Sequence, residues 1–178
     1  MREDYLALFP VLREIQNEDW RQAACGIYET MLQRSGWAQL EDVPFTLKGD
    51  GGTLVEHTRA TMRSALRIAC AVQQVYPDKA VDRDIVLLAA FLHDVSKILE
   101  YGPDGRTLEG AYYQHAFLAA HEALNAGLPA AVVSIIMLHT PQSNVPQKFL
   151  EGVIVQHAEA AMAAAGVDYR KMALEALQ

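Results

Sequence analysis

The chain has 178 residues, 51% hydrophobic and 21% charged, with a net charge of -7. That length and apolar content suit one sizeable core and give little reason for two, and an acidic balance without any Lys/Arg run argues against a broad nucleic-acid or anionic-membrane surface. The beginning, MREDYLALF, is acidic and amphipathic, and no apolar run approaches the roughly 20 residues of a membrane span, so a cytoplasmic protein is expected.

Helical periodicity runs through nearly every segment and no stretch reads as a strand, so the architecture is expected to be all-α. Residues 3–15 and 18–35 read as two amphipathic helices, the second closing near Gly36. Residues 36–52 read as loop, broken by Pro44 and the run GDGG, with Trp37, Val43 and Phe45 as anchors to the core. A third helix is expected over 53–76, stopped by Pro77, and a fourth from an Asp82 N-cap through to Tyr101. GPDGRTLEGA reads as an exposed turn. A fifth helix is placed over 112–126, ending at Gly127, and a sixth from Pro129 to just before Pro141. After PQSNVP, a last long helix covers 147–165. Cys25 and Cys70 lie in helical segments without CxxC spacing and read as buried free thiols.

The chemistry-bearing feature is the placing of the histidines. Six occur, and His57, His93, His115, His139 and His157 fall one to a predicted helix, with His121 as an extra. A helical bundle builds a metal site by projecting such ligands inward from several helices. His93 and Asp94 are adjacent inside the apolar run VLLAAFLHD, where a carboxylate is costly unless something pairs with it. A divalent cation would neutralise Asp94 and use the imidazole lone pair. Successive helix residues point about 100° apart, so both reach one ion only over the edge between them. Lys97 shares their face and suits an anionic substrate oxygen.

In order, LVEHT, LHDVSK, YQHAFLAAHEA, IIMLHT and VQHAEA resemble the HD-domain superfamily of metal-dependent phosphohydrolases across residues 53–165. The resemblance implies a helical bundle of about six to eight helices in one domain, with residues 1–52 as N-terminal helices and loop ahead of a metal-binding core. It implies His57, His93, Asp94 and Glu159 as ligands of a first metal, with Asp94 bridging to a second held by His115 and His139. Glu159 departs from the family's usual Asp, and the longer side chain bears on metal choice. One or two divalent ions, from among Fe, Mn, Mg, Zn, Co and Ni, are the implied cofactors.

The implied reaction is hydrolysis of a phosphomonoester or phosphodiester of a small nucleotide-like molecule by metal-activated water, with Asp94 and Lys97 catalytic and Lys97 also contacting substrate. Some nucleoside-monophosphatase members carry Glu where this chain has Lys97, which disfavours that branch. Two alternatives stay open: a diiron oxygenase acting on a small organic substrate, which needs the same two extra histidines, and a non-catalytic nucleotide-binding module. No GxSxG elbow or phosphate-cradling glycine loop supports another hydrolytic chemistry.

Other residues receive blander readings. His157 aligns with Leu150, Val153, Ile154 and Ala161 and reads as a core histidine, two residues out of phase with Glu159. His121 reads as a surface or supporting residue, Glu122 as an exposed carboxylate on the face of His115, and Arg59 and Arg63 as solvated. Substrate selection is expected in the loops Gly102–Ala111 and Pro141–Pro146. The first two helices could cover the bundle or mediate self-association into a homo-oligomer.

Overall fold

The computed structural model describes residues 4–48 and 51–166. Within them the chain is all-α, with a single two-residue hairpin as its regular β-structure. The helices are α1 (Tyr5–Leu8), α2 (Glu18–Arg34), α3 (Leu54–Val75), α4 (Arg83–Leu92), α5 (Lys97–Glu100), α6 (Leu108–Tyr112), α7 (His115–Asn125), α8 (Ala130–Leu138) and α9 (Leu150–Gly166). Strands β1 (Tyr101–Gly102) and β2 (Gly105–Arg106) pair antiparallel between α5 and α6.

The centre of the bundle is α4. Asp82 caps it by accepting from the N–H groups of Asp84 and Ile85, and all eight residues from Ile85 to Leu92 are buried. A helix apolar all round must be enclosed on every side, and α2, α3, α8 and α9 pack around it. The long α3 starts at a full capping box, with Thr53 accepting from the Glu56 N–H and the Glu56 carboxylate accepting from the Thr53 N–H. Such a reciprocal cap satisfies two otherwise orphaned donors. Its buried stripe, Leu54, Thr58, Thr61, Met62, Ala65 and Ala69, faces α4 and α9 and carries His57 with it.

The segment before Thr53 packs over the bundle. Phe9, Leu12, Ile15, Tyr28 and Met31 belong to the same core as α4. Tyr28 stacks on Phe91 with ring centroids 4.4 Å apart and donates its hydroxyl to the Phe91 carbonyl at 2.9 Å. Each such large side chain contributes on the order of 1.5–3 kcal/mol by leaving water.

Several boundaries differ from expectation, for local reasons. The first helix is split: Pro10 lacks the N–H that α1 would need, and a 3₁₀ turn, Pro10–Glu14, follows. Part of that segment, and Gly49 and Asp50 of GDGG, lie outside the described residues. The predicted fourth helix does not run through to Tyr101 but ends at Leu92, with a turn at 93–96 before α5. The His93 ring takes the Ala90 carbonyl, at 2.8 Å from Nδ1, which a continuing α-helix would offer to the Asp94 N–H. Bonds of the 3₁₀ type then carry the chain onward, from Val95 to Leu92 and from Lys97 to Asp94. The exposed turn after Tyr101 holds the hairpin and α6, so the predicted fifth helix is divided at Tyr113–Gln114. It ends as expected before Gly127, whose φ of 73° suits glycine. The last helix starts at Leu150 rather than 147.

Cys70 is exposed and Cys25 partly buried, so the expectation of two buried thiols is wrong. Among the described residues no helix is long and apolar enough to cross a membrane.

Candidate metal centre

His57 comes from the first turn of α3, His93 from the C-terminal end of α4, Asp94 from the turn that follows, His115 from the start of α7 and His139 from the end of α8. Their side chains meet in the interior. Asp94 Oδ2 lies 3.6 Å from His57 Nε2 and 3.4 Å from His93 Nε2. Asp94 Oδ1 lies 3.3 Å from His115 Nε2 and 3.6 Å from His139 Nε2. Within each pair the nitrogens approach closely, 3.2 Å for His57 and His93 and 3.3 Å for His115 and His139.

The imidazole tautomers follow from their second nitrogens. His93 Nδ1 faces the Ala90 carbonyl and His139 Nδ1 the Ile136 carbonyl, at 2.8 and 2.6 Å. A carbonyl only accepts, so both Nδ1 atoms carry the proton and both Nε2 atoms turn a lone pair toward Asp94. Such nitrogens beside further imidazoles and a carboxylate call for a proton or a cation between them. A tetrahedral ion with ligands at about 2.0–2.1 Å sets its ligand atoms roughly 3.3 Å apart, close to the spacings found here. The two triads, His57–His93–Asp94 and Asp94–His115–His139, could each hold a metal ion. The residues therefore fit divalent ions, by donor type and by spacing.

Electrostatics agree. Burial opposes the charged Asp94, but Lys97, His93 and His139 outweigh it and hold its carboxyl well below the usual range. Burial, assisted by the neighbouring His93, depresses His57 to about 3. Burial depresses His115 to about 4, although Asp94 pulls the other way. Both are therefore neutral lone-pair donors at physiological pH. His93 is raised, because Asp94 outweighs the cost of burial.

Lys97 is buried, with Nζ 3.8 Å from Asp94 Oδ2 and donating to the Phe45 carbonyl at 3.2 Å. Its ammonium also lies 4.6 Å from the centre of the Phe45 ring. Burial would discharge it, but Asp94 raises its pKa. A cleft of about 360 Å³ adjoins the cluster, lined among others by Lys97, Glu100, Arg106, Tyr112, Tyr113 and His115.

Residues 54–164 match the HD domain family. The chain belongs to that family. It is also similar to the dihydroneopterin 2',3'-cyclic phosphate phosphodiesterase of Methanocaldococcus jannaschii, at 30% identity over 118 residues, 62% of this chain and 46% of that protein. The chain thus spans about half the length of this curated relative. No solved structure matches it.

This HD domain gathers five of the six residues singled out as ligands. Glu159 is partly buried on α9 and belongs to neither triad among the described residues. Its charge acts on His93 and Lys97, and burial raises its own pKa. His157 is exposed, so its reading as a core histidine is wrong. His157 and Glu159 lie out of phase on α9, which turns Gly152, Ile154, Val155 and Ala158 inward. Glu122, read as an exposed carboxylate, is partly buried and accepts from Arg34 of α2 at 2.8 Å. Arg59 is not simply solvated, donating to the Leu8 carbonyl, whereas Arg63 and His121 are exposed as expected.

Sequence reasoning missed Glu100, Arg106, Tyr112 and Tyr113. The two loops named for substrate selection do reach the cleft, through Arg106, Gly110 and Ala111 from one and Gln142 from the other. Glu100 carried one signal: it closes the apolar run after Lys97, where a surface helix would not bury a carboxylate.

Proposed function

We propose that this HD domain is a metal-dependent phosphohydrolase acting on a phosphomonoester or phosphodiester of a small nucleotide-like molecule. The observation that carries the reading is Asp94, a single buried carboxylate that presents each oxygen to a separate pair of imidazoles. In this reading His57, His93 and Asp94 hold one ion and Asp94, His115 and His139 a second, with Glu159 as a supplementary acidic group approaching from α9. Divalent ions there supply Lewis acidity toward water and toward phosphoryl oxygens.

The chain's own residues do the rest. The His93 and His139 rings, locked by backbone carbonyls, present their Nε2 lone pairs without reorganisation. Lys97, fixed by the Phe45 carbonyl and held charged by Asp94, offers a cation to a phosphoryl oxygen entering from the cleft it lines. Arg106 adds positive charge on the cleft wall. Tyr112 and Tyr113 line the same cleft and are exposed, and their ring faces suit a planar base. The similarity to a cyclic phosphate phosphodiesterase supports the phosphoester part of the reading.

The test is metal analysis of the purified protein together with a screen of phosphorylated metabolites on the same preparation. Two ions per chain and phosphate-ester hydrolysis abolished by chelation are expected. Full activity after exhaustive chelation would falsify the reading.

A further inference from the structure

Among the imidazoles around Asp94, His93 and His139 are held alike at their second nitrogen and His115 is held differently. His93 and His139 each stand at the end of a helix and give Nδ1 to the carbonyl three residues earlier, Ala90 and Ile136. His115 has no such carbonyl within its own helix, because it is the first residue of α7. Its Nδ1 instead faces a carboxylate from another element, with Glu100 Oε2 at 3.7 Å.

Glu100 is built into place. The residue is 7% exposed, and its Oε1 accepts from Arg106 Nη2 at 3.1 Å across the hairpin. Its Oε2 is buried and finds no hydrogen-bond partner among the described residues. A buried oxygen is costly to leave unpaired, and Nδ1 of His115 is the donor it faces. The terminal torsion of a glutamate is soft, so a small rotation closes the gap. Its backbone is pinned as well. The Thr107 N–H donates to the Glu100 carbonyl at 3.1 Å, the Thr107 hydroxyl bonds the Leu99 carbonyl, and Gly110 packs against the Glu100 backbone where any Cβ would collide. On the other side, the Ser96 hydroxyl donates to the His115 carbonyl at 2.6 Å.

We infer that Glu100, backed by Arg106, is the positioning residue of His115: its carboxylate holds the Nδ1–H tautomer and so directs the Nε2 lone pair at Asp94 Oδ1. The inference rests on the proposed reading of His115 as a ligand. It assigns to the one cluster histidine at a helix start the support that helix ends give to His93 and His139, by the general rule that a ligating imidazole is oriented through its other nitrogen.

The test uses ¹⁵N-histidine NMR on the metal-free full chain at neutral pH, alongside calorimetric titration with Mn²⁺ or Zn²⁺. In Glu100→Ala the His115 ring signals should move from the Nδ1–H pattern toward a mixture of tautomers, while those of His93 and His139 stay put. One of the two ion affinities should fall about 10- to 100-fold. Glu100→Gln, which keeps an acceptor oxygen and the side-chain shape, should restore the wild-type ring pattern at least in part. An unchanged His115 pattern in Glu100→Ala, with His93 and His139 showing the fold intact, overturns the inference. Wild-type protein that takes up a single ion would instead count against the two-ion reading, and the ring signals would still decide the role of Glu100.

Discussion

The rings of Phe45 and His57 lie face to face, with centroids 3.8 Å apart and planes 16° from parallel. Phe45 also gives its carbonyl to the Lys97 ammonium and its ring to the same charge. A residue from the segment between α2 and α3 thus braces two side chains of the proposed site that come from different parts of the bundle. Phe45→Ala should therefore do two things at once. Truncating a buried Phe costs about 3–5 kcal/mol, visible as a lower Tm, and loosening His57 and Lys97 should cut turnover more than it raises KM. Phe45→Leu should recover most of the Tm but not the turnover, because it packs without stacking. Equal recovery of both would mean that the ring acts by volume alone.

Asp94→Asn is the sharpest change at the centre. The amide has nearly the same shape but brings no negative charge, and one of its ends becomes a donor facing lone pairs on two imidazoles. Metal content by elemental analysis should fall to background and phosphoester hydrolysis with it, while the circular dichroism spectrum stays helical. The expectation is wrong if the variant purifies with the same metal load as the wild type.

Much of this was readable in the sequence because helical periodicity and helix signals act locally. Asp82, Thr53 and Gly127 mark boundaries where the structure has them. The order of His57, His93, Asp94, His115 and His139 survives into three dimensions because each sits on an inward face. The break after Leu92 was not legible, since it comes from a side chain competing for a backbone carbonyl. His157 was misplaced because an apolar stripe on α9 admits more than one inward direction, and only the packing of α3 and α4 against it selects one. The partners of Glu100 lie across the hairpin and at the start of α7, and no spacing rule joins them.

The two thiols should report this packing. Cys70 is exposed, whereas burial pushes the Cys25 thiol up to about 11 from 9.0, against a smaller opposing effect of Arg21. The thiolate is the reactive form, so below either value the reactive fraction of Cys25 is lower by roughly 100-fold than that of a thiol at the ordinary value. Titration of the native protein with a thiol reagent at mildly alkaline pH should show one fast and one slow equivalent, with the fast one lost in Cys70→Ser. Raising the pH toward 11 should speed Cys25 selectively. Two equally fast thiols in the native state would show that Cys25 is as open as Cys70.

The aromatic wall of the cleft gives the last expectation. Tyr113 lines the cleft while its other neighbour is Phe117, with ring centroids 6.2 Å apart, so its ring is backed on one side and open to a ligand. Stacking a base on an aromatic face contributes about 1–3 kcal/mol, which corresponds to a rise in KM of roughly 5- to 150-fold when the ring is removed. Tyr113→Ala should show that rise with a nucleotide-like phosphoester and little change with an aliphatic phosphoester of equal charge. The ratio of the two substrates isolates the ring's contribution, because any disturbance of Lys97 or of the imidazole cluster would slow both alike. A parallel loss on both substrates would place Tyr113 among the residues that shape the cleft and not among those that read the base.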